Sequence, residues 1–279
     1  MGEPLNIAAG VVGIATATLH WTRLLLDDLE KLSDAPKTVE HLKEEVRLVD
    51  TTIKSFSNIT EAQWQALGMS IIEQSKTTLI TCQESCEKFK ADLLRWTKHS
   101  GDGKLSLKDR ARVGFFKQNR IEAMSEQLHR YQCSLNLVAS MATLHNSILN
   151  TRINQDIKDS ISEKAAEIAS SITSAGLQLA TVNTQLDRLD LGVNASNTSN
   201  DGYSQDTEQS TLGQERATLE SCLRLLEELK SKNEEGKEHA AQKERDQSIS
   251  VTFGQNNYGL QQAVNHGSFS NLSFGGPRS

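Results

Sequence analysis

Between Lys37 and Gly276 the chain contains no proline; its three prolines are Pro4, Pro36 and Pro277. Sheet-rich folds turn on proline and glycine, so a turn-rich β-sandwich or barrel is excluded and a helical body is expected. Glycine and phenylalanine are distributed unevenly as well. Gly254, Gly259, Gly267, Gly275 and Gly276 crowd the end of the chain together with Phe253, Phe269 and Phe274. The body and the tail therefore need separate readings.

In the body the apolar spacing is helical. Val39, Leu42, Val46, Val49, Ile53 and Phe56 step by three and four and make one stripe. Asn58 to Glu61 reads as a turn with a cap. The next helix is expected to reach about Lys98, with Trp64, Leu67, Ile71, Thr78, Cys82, Phe89, Leu93 and Trp96 inward. His99 to Ser106 reads as a loop, with Ser106 and Asp109 as a capping pair. A long pattern then runs from Ile121 through Leu149 and on from Ile153 to Leu189. Compactness asks for a break near Asn150–Asp159. Residues 192–213 are rich in Ser, Thr, Asn and Gly and are expected to be a flexible loop. Helix resumes at 214–247, where 231–248 is so charged that it reads as a solvated linker.

The N-terminus is the first place with functional content. From Pro4 to Thr22 there is no Asp, Glu, Lys or Arg, and Asp27, Asp28 and Glu30 follow. Glu3 stands where a signal peptide would carry basic residues. A helix over 5–22 spans roughly 27 Å, just short of a ~30 Å hydrocarbon core. Two readings are open, a helix buried in the bundle and a marginal membrane segment, and a helix buried first and released later satisfies both. Candidate membrane-targeting residues are Leu5, Ile7, Val11, Val12, Ile14 and Leu19. Ala8, Ala9, Gly10, Gly13, Ala15 and Ala17 suit either close packing of inserted helices or tight packing in the bundle. The acids at 27–30 either face solvent or tether this helix to basic residues.

Other chemistries lack their signatures. Net charge is −6 with no strongly basic segment, so no nucleic-acid partner is expected. There is no phosphate loop and no nucleophile elbow. Cys82 and Cys86 are four apart on a helix but lack a second ligand pair, and His145 lies on an apolar stripe, so core roles are expected for all three. No cofactor, no metal site, no catalytic residue and no enzyme activity are expected, and the four cysteines suit a reducing cytosol.

The tail alternates. Ile249, Val251 and Phe253 share one face, while Asn257, Gly259, Gln261, Ala263, Asn265 and Gly267 share another. Arg278 is its only charge. Period-two alternation indicates strand, yet one short strand has no partner inside a helical protein. Copies of itself are natural partners, because amide ladders, small residues and low charge favour in-register stacks. A disordered polar tail is the other reading of the same composition.

Asn257 to Gly267 resembles the fungal PP amyloid motif, a relative of the animal RHIM motif, with Ala263 in place of its third glycine; a sigma-type motif competes. Residues 257–269 carry this resemblance, with Asn257, Gly259, Gln261, Ala263, Val264, Asn265, Gly267 and Phe269 as its positions. The N-terminal sequence MGEPLNIAAGVVGIATATLHWTRLLLDDLEKL, followed by the Val39–Phe56 stripe, is similar to the start of the HeLo-like domains of fungal cell-death proteins.

The resemblance implies an all-α, multi-helix, MLKL-like bundle over 1–230, a charged linker over 231–248 and an amyloid-forming segment over 249–276. The tail would be disordered at rest and become cross-β on assembly. The implied function is execution of fungal programmed cell death of the heterokaryon-incompatibility type. A cognate NLR-type receptor with a matching motif would template the tail, and clustered domains would release residues 5–22 into the plasma membrane, with Glu3 standing, by the same resemblance, as the acidic membrane-targeting residue at the entering end. Partners would be further copies of the chain, that receptor and plasma-membrane lipids. The resting protein would be cytoplasmic and the active one at the plasma membrane. A non-lytic signalling adaptor that uses the same motif is the alternative.

Overall fold

A computed structural model describes residues 7–32, 36–97, 117–195 and 202–248. Among the described residues there are seven helices and no strand, and the protein is an all-α multi-helix bundle. The helices are α1 (Ile7–Glu30), α2 (Lys37–Phe56), α3 (Glu61–Leu67), α4 (Met69–Trp96), α5 (Gln118–Asn150), α6 (Gln155–Ala195) and α7 (Gly202–Ser248).

The α2 stripe is buried along its whole length, from Val39 to Phe56. Phe56 meets Trp64 of α3 with ring centroids 5.5 Å apart, which seals the α2–α3 corner. Thr60 caps α3: its Oγ1 accepts from the Gln63 backbone N–H at 3.3 Å, and the Gln63 Oε1 accepts from the Thr60 N–H at 2.8 Å. Thr60→Ala removes one half of this box and is expected to cost about 1 kcal/mol in urea denaturation.

The single helix expected from Glu61 to about Lys98 is two helices. Gly68 has φ +93°, left-handed space that favours glycine, and it separates α3 from α4. The expected inward stripe continues across this break, from Trp64 to Trp96.

The expected break in the long pattern lies where α5 ends at Asn150 and α6 begins at Gln155. Asn154 Oδ1 accepts from the Ile157 N–H at 3.0 Å, so an asparagine side chain starts α6. Leu149, expected inward, is 52% exposed; Ile148 takes the core position. His145 is a buried core histidine whose Nε2–H donates to the Lys232 carbonyl at 3.0 Å, and burial pushes its pKa down. Cys82 and Cys86 are also in the core.

Two expectations near the C-terminal side are corrected. The loop over 192–213 is helical on both flanks, since α6 runs through Ala195 and α7 starts at Gly202. Here Leu212 and Leu219 of α7 pack with Ala175 and Val182 of α6, and this apolar stripe outweighs the polar composition between. The charged 231–248 segment is no separate linker but the continuation of α7. Asn233 donates to the Ile161 carbonyl at 3.1 Å, and Lys243 Nζ donates to the Ile148 and Leu149 carbonyls at 2.8 Å each. Lys243 thereby satisfies two open carbonyls at the end of α5, while Asn233 ties α7 to α6. The capping pair Ser106–Asp109 and the loop from His99 to Ser106 lie outside the described residues.

Side-chain contacts fix the helix directions. Thr18 and Asp28 of α1 meet Leu79 and Lys90 of α4, so these two run parallel. Arg23 and Glu30 meet Asp50 and Arg47, so α2 runs antiparallel to α1. Ser85 and Asp92 of α4 meet Tyr131 and Arg120, making α5 antiparallel to α4. Tyr131 and His145 meet Thr218 and Lys232, so α7 runs parallel to α5.

Candidate functional site: the first helix and its ties

Among the described residues α1 is the one helix long and apolar enough to cross a membrane, over Ala9–Glu30. Its burial is partial, with 28% of that window inside the bundle. The inward positions are Val11, Ala15, Thr18, Thr22, Leu25 and Leu29, one stripe stepping by four and three. Two of these six are threonines. The Thr18 Oγ1 donates toward the Ile14 carbonyl at 2.9 Å and the Leu79 carbonyl at 3.2 Å, and Thr22 Oγ1 to the Leu19 carbonyl at 3.0 Å. Thr16 Oγ1 likewise donates to the Val12 carbonyl at 2.8 Å. These hydroxyls can stay bonded within the helix in any surroundings.

The opposite face is small and uncharged. Ala9, Gly10, Gly13, Thr16, Ala17 and His20 are exposed, while Val12, Ile14, Leu19 and Trp21 are half-buried. A Cβ placed on Gly13 would meet nothing within 4 Å, and one on Gly10 would touch only the Lys76 side chain, at 3.6 Å. Among the small residues described, Ala15 alone serves the bundle core. Of the expected membrane-targeting residues, Val11 is buried and Val12, Ile14 and Leu19 are half-buried. Glu3, Leu5 and the side chain of Ile7 lie outside the described residues, as do Asn257, Gly259, Gln261, Ala263, Val264, Asn265, Gly267 and Phe269 of the tail motif.

Charge gathers at the other end of α1. Arg23 Nε lies 3.1 Å from Asp50 Oδ1 of α2, and Asp50 also pairs with Lys54. Asp28 lies 2.9 Å from Lys90 of α4 and from its own neighbour Lys31. Glu30 pairs with Arg47 of α2 at 2.8 Å. Of the two roles open to the acids at 27–30, Asp28 and Glu30 take the tethering one, and Asp27 is exposed. α1 is thus tied by ions over Arg23–Glu30 and held by packing over Ala9–Thr22. The uncharged run in the sequence marks the second part; the partners of the first, on α2 and α4, have no signal in the local sequence.

Burial works to raise the Asp28 pKa, but hydrogen bonds and charge from Lys31 and Lys90 outweigh it and hold the carboxyl below its ordinary value. Its folded pKa is depressed, so its contribution is full above the unfolded value near 3.8 and is lost as pH falls through the folded value. An acid titration followed by tryptophan fluorescence, with Trp21 on α1 as reporter, is expected to show this loss below about pH 4. Asp28→Asn is expected to remove that part of the transition, worth about 1 kcal/mol for a pair at the bundle surface that solvent still reaches.

A family model described as pigment biosynthesis cluster protein PigL N-terminal matches residues 2–227, from before α1 into α7. No curated protein and no solved structure matches the chain.

Proposed function

Because the chain belongs to the PigL N-terminal family, we propose, as the finer reading of this member, that it executes cell death by disrupting the plasma membrane. The family's description names a pigment biosynthesis cluster and no reaction; the HeLo-like and PP resemblances supply the rest of the proposal. In it the protein is not an enzyme. A cognate NLR-type receptor templates the tail over 249–276, the tails stack as cross-β, and the gathered bundles give up α1 to the lipid. The resting form is cytoplasmic and the active form sits at the plasma membrane.

The observation that carries this reading is the division of α1. A span-length helix has its uncharged part only partly buried and its ion pairs confined to one end. Release of the first part breaks no ion pair and leaves the threonine hydroxyls bonded within the helix. A segment so weakly committed suits a two-state switch, which a few kcal/mol can tip. Clustering supplies the bias by raising local concentration.

Dye release from vesicles of plasma-membrane composition tests the proposal. The full chain, seeded with fibrils of residues 249–279, is expected to release dye. A chain ending at Ser248 is expected to ignore the seed. The fibrils should give the ~4.7 Å cross-β reflection. No release from the seeded full chain overturns the membrane step, and no reflection overturns the templating step.

A further inference from the structure

Outside the first helix, one group of side chains is arranged for proton transfer to and from a thiol. Cys133 and His129 lie one turn apart on α5, with the Sγ 3.6 Å from the His129 Nε2. The other ring nitrogen, Nδ1, lies 3.5 Å from Glu45 Oε2 of α2. Glu45 is 7% exposed, and its Oε2 is buried with no hydrogen-bond partner. A buried carboxylate oxygen left open in this way draws the nearest proton donor. His129 Nδ1 is that donor, with His41 Nε2 at 4.0 Å from the other carboxylate oxygen. A proton on Nδ1 leaves the lone pair of a neutral imidazole on Nε2, turned toward the sulfur.

The thiol also opens on space. His129 and Cys133 line a pocket of about 240 Å³ together with Ser134 of α5 and Ser170, Ser171 and Ser174 of α6. Its wall is mixed, with Arg130, Gln178 and the serines beside Ala175, Cys222 and Leu226, which suits a compact, weakly polar ligand. The other three cysteines differ sharply in setting: Cys82, Cys86 and Cys222 are at most 1% exposed, whereas Cys133 is half-buried.

We propose that Cys133 is a modification site for small hydroperoxides, with His129 as its proton acceptor and Glu45 as the residue that positions the imidazole. His129 Nε2 takes the thiol proton, and the sulfur forms a bond to one peroxide oxygen as the O–O bond breaks. The departing oxygen takes the proton back from His129. Sulfur is oxidised by two electrons to the sulfenic acid, and the hydroperoxide is reduced to water or an alcohol. The event is stoichiometric, one modification per chain, and is independent of the membrane reading.

The surroundings explain why the imidazole is needed. Burial, and then the charges of Glu45 and Glu167, push the Cys133 pKa up, so the thiol stays protonated at neutral pH. An unaided thiol of this kind reacts slowly, and a positioned base removes that limit. The groups facing the pair are Glu45 and His41 from α2, Arg130 on α5, and Glu167 with its ion-pair partner Lys164 from α6.

The test treats the full chain with hydrogen peroxide and traps sulfenic acid with dimedone, read by peptide mass spectrometry. One adduct, on Cys133, is expected, and Cys133→Ser should abolish it. His129→Gln changes an exposed ring but takes the nearest donor from Glu45, so labelling is compared well below the melting temperature of both chains, where it should be slower at pH 7 by about tenfold or more. In the His129→Gln chain the rate should climb only as the thiol itself ionises, at alkaline pH, whereas the parent should label readily at pH 7. Glu45→Gln should shift the parent's profile without removing Cys133 labelling. Comparable labelling of Cys82, Cys86 or Cys222, no labelling at Cys133, or an unchanged rate and pH profile in His129→Gln would each overturn the proposal.

Discussion

A chain carrying Gly13→Lys is expected to fold as the parent does and to release no vesicle dye when seeded. The folded state has room for the change, since an added Cβ at Gly13 meets nothing within 4 Å. Lysine is also a better helix former than glycine in a helix interior, by roughly 0.5–1 kcal/mol. Thermal melting should therefore match the parent or lie slightly above it. The membrane state has no room for it. A lysine near the centre of a span costs about 2.5–3.5 kcal/mol on insertion scales. That cost recurs for every inserted helix, so a cooperative assembly feels a multiple of it. Stability and leakage are thereby separated in one variant. Parental dye release from Gly13→Lys would remove α1 as the element that enters the lipid. Under the non-lytic adaptor reading neither the parent nor Gly13→Lys releases dye, and signalling through the tail survives the change.

Gly236→Val is expected to destabilise the protein by about 1–3 kcal/mol, the range for forcing bulk into a packed contact. A Cβ on Gly236 would lie 3.0 Å from His145 Nε2 and 3.2 Å from Ile148 Cδ1. Both neighbours are buried in α5, and the His145 ring is held by its bond to the Lys232 carbonyl. The ring has nowhere to turn without giving up that bond. Urea denaturation should show a lower midpoint, and hydrogen exchange should rise in α7 beyond Lys232. Unchanged exchange there would mean that this stretch does not depend on its seat against α5. The effect is the reverse of what a solvated linker would give, since a substitution in a linker moves stability by tenths of a kcal/mol.

What could be read beforehand follows from which signals are local. The Val39–Phe56 stripe and the start at Thr60 each rest on residues within a turn or two of one another, and each is where periodicity and capping placed it, whereas the break between Asn150 and Gln155 is asked for by compactness alone, since the apolar pattern runs through it with no proline or glycine. Gly68 was hidden because the inward stripe continues across it, so periodicity alone cannot separate two helices sharing one face. The helical residues running up to Ala195 and on from Gly202, and the charged ones after Lys230, look unstructured only when the partners on neighbouring helices are out of view. The uncharged part of α1 was legible in the chain, and so was the pair of outcomes open to its acids. Which acids meet Lys90 and Arg47 was not, because pairing across helices is set by the directions in which those helices run. The family match confines itself to 2–227 and so bears on the bundle, not on the motif at 257–269.

The helix directions carry one consequence for an assembly. α1 runs with α4, α4 runs against α5, and α7 runs with α5. The start of α1 and the end of α7 therefore face the same pole of the bundle. In an array built on residues after Ser248, every copy would present its uncharged helix end on the side of the array's own spine. The spine and the lipid would then share one side of the layer of bundles, so the array would form along the membrane surface with the bundles turned outward.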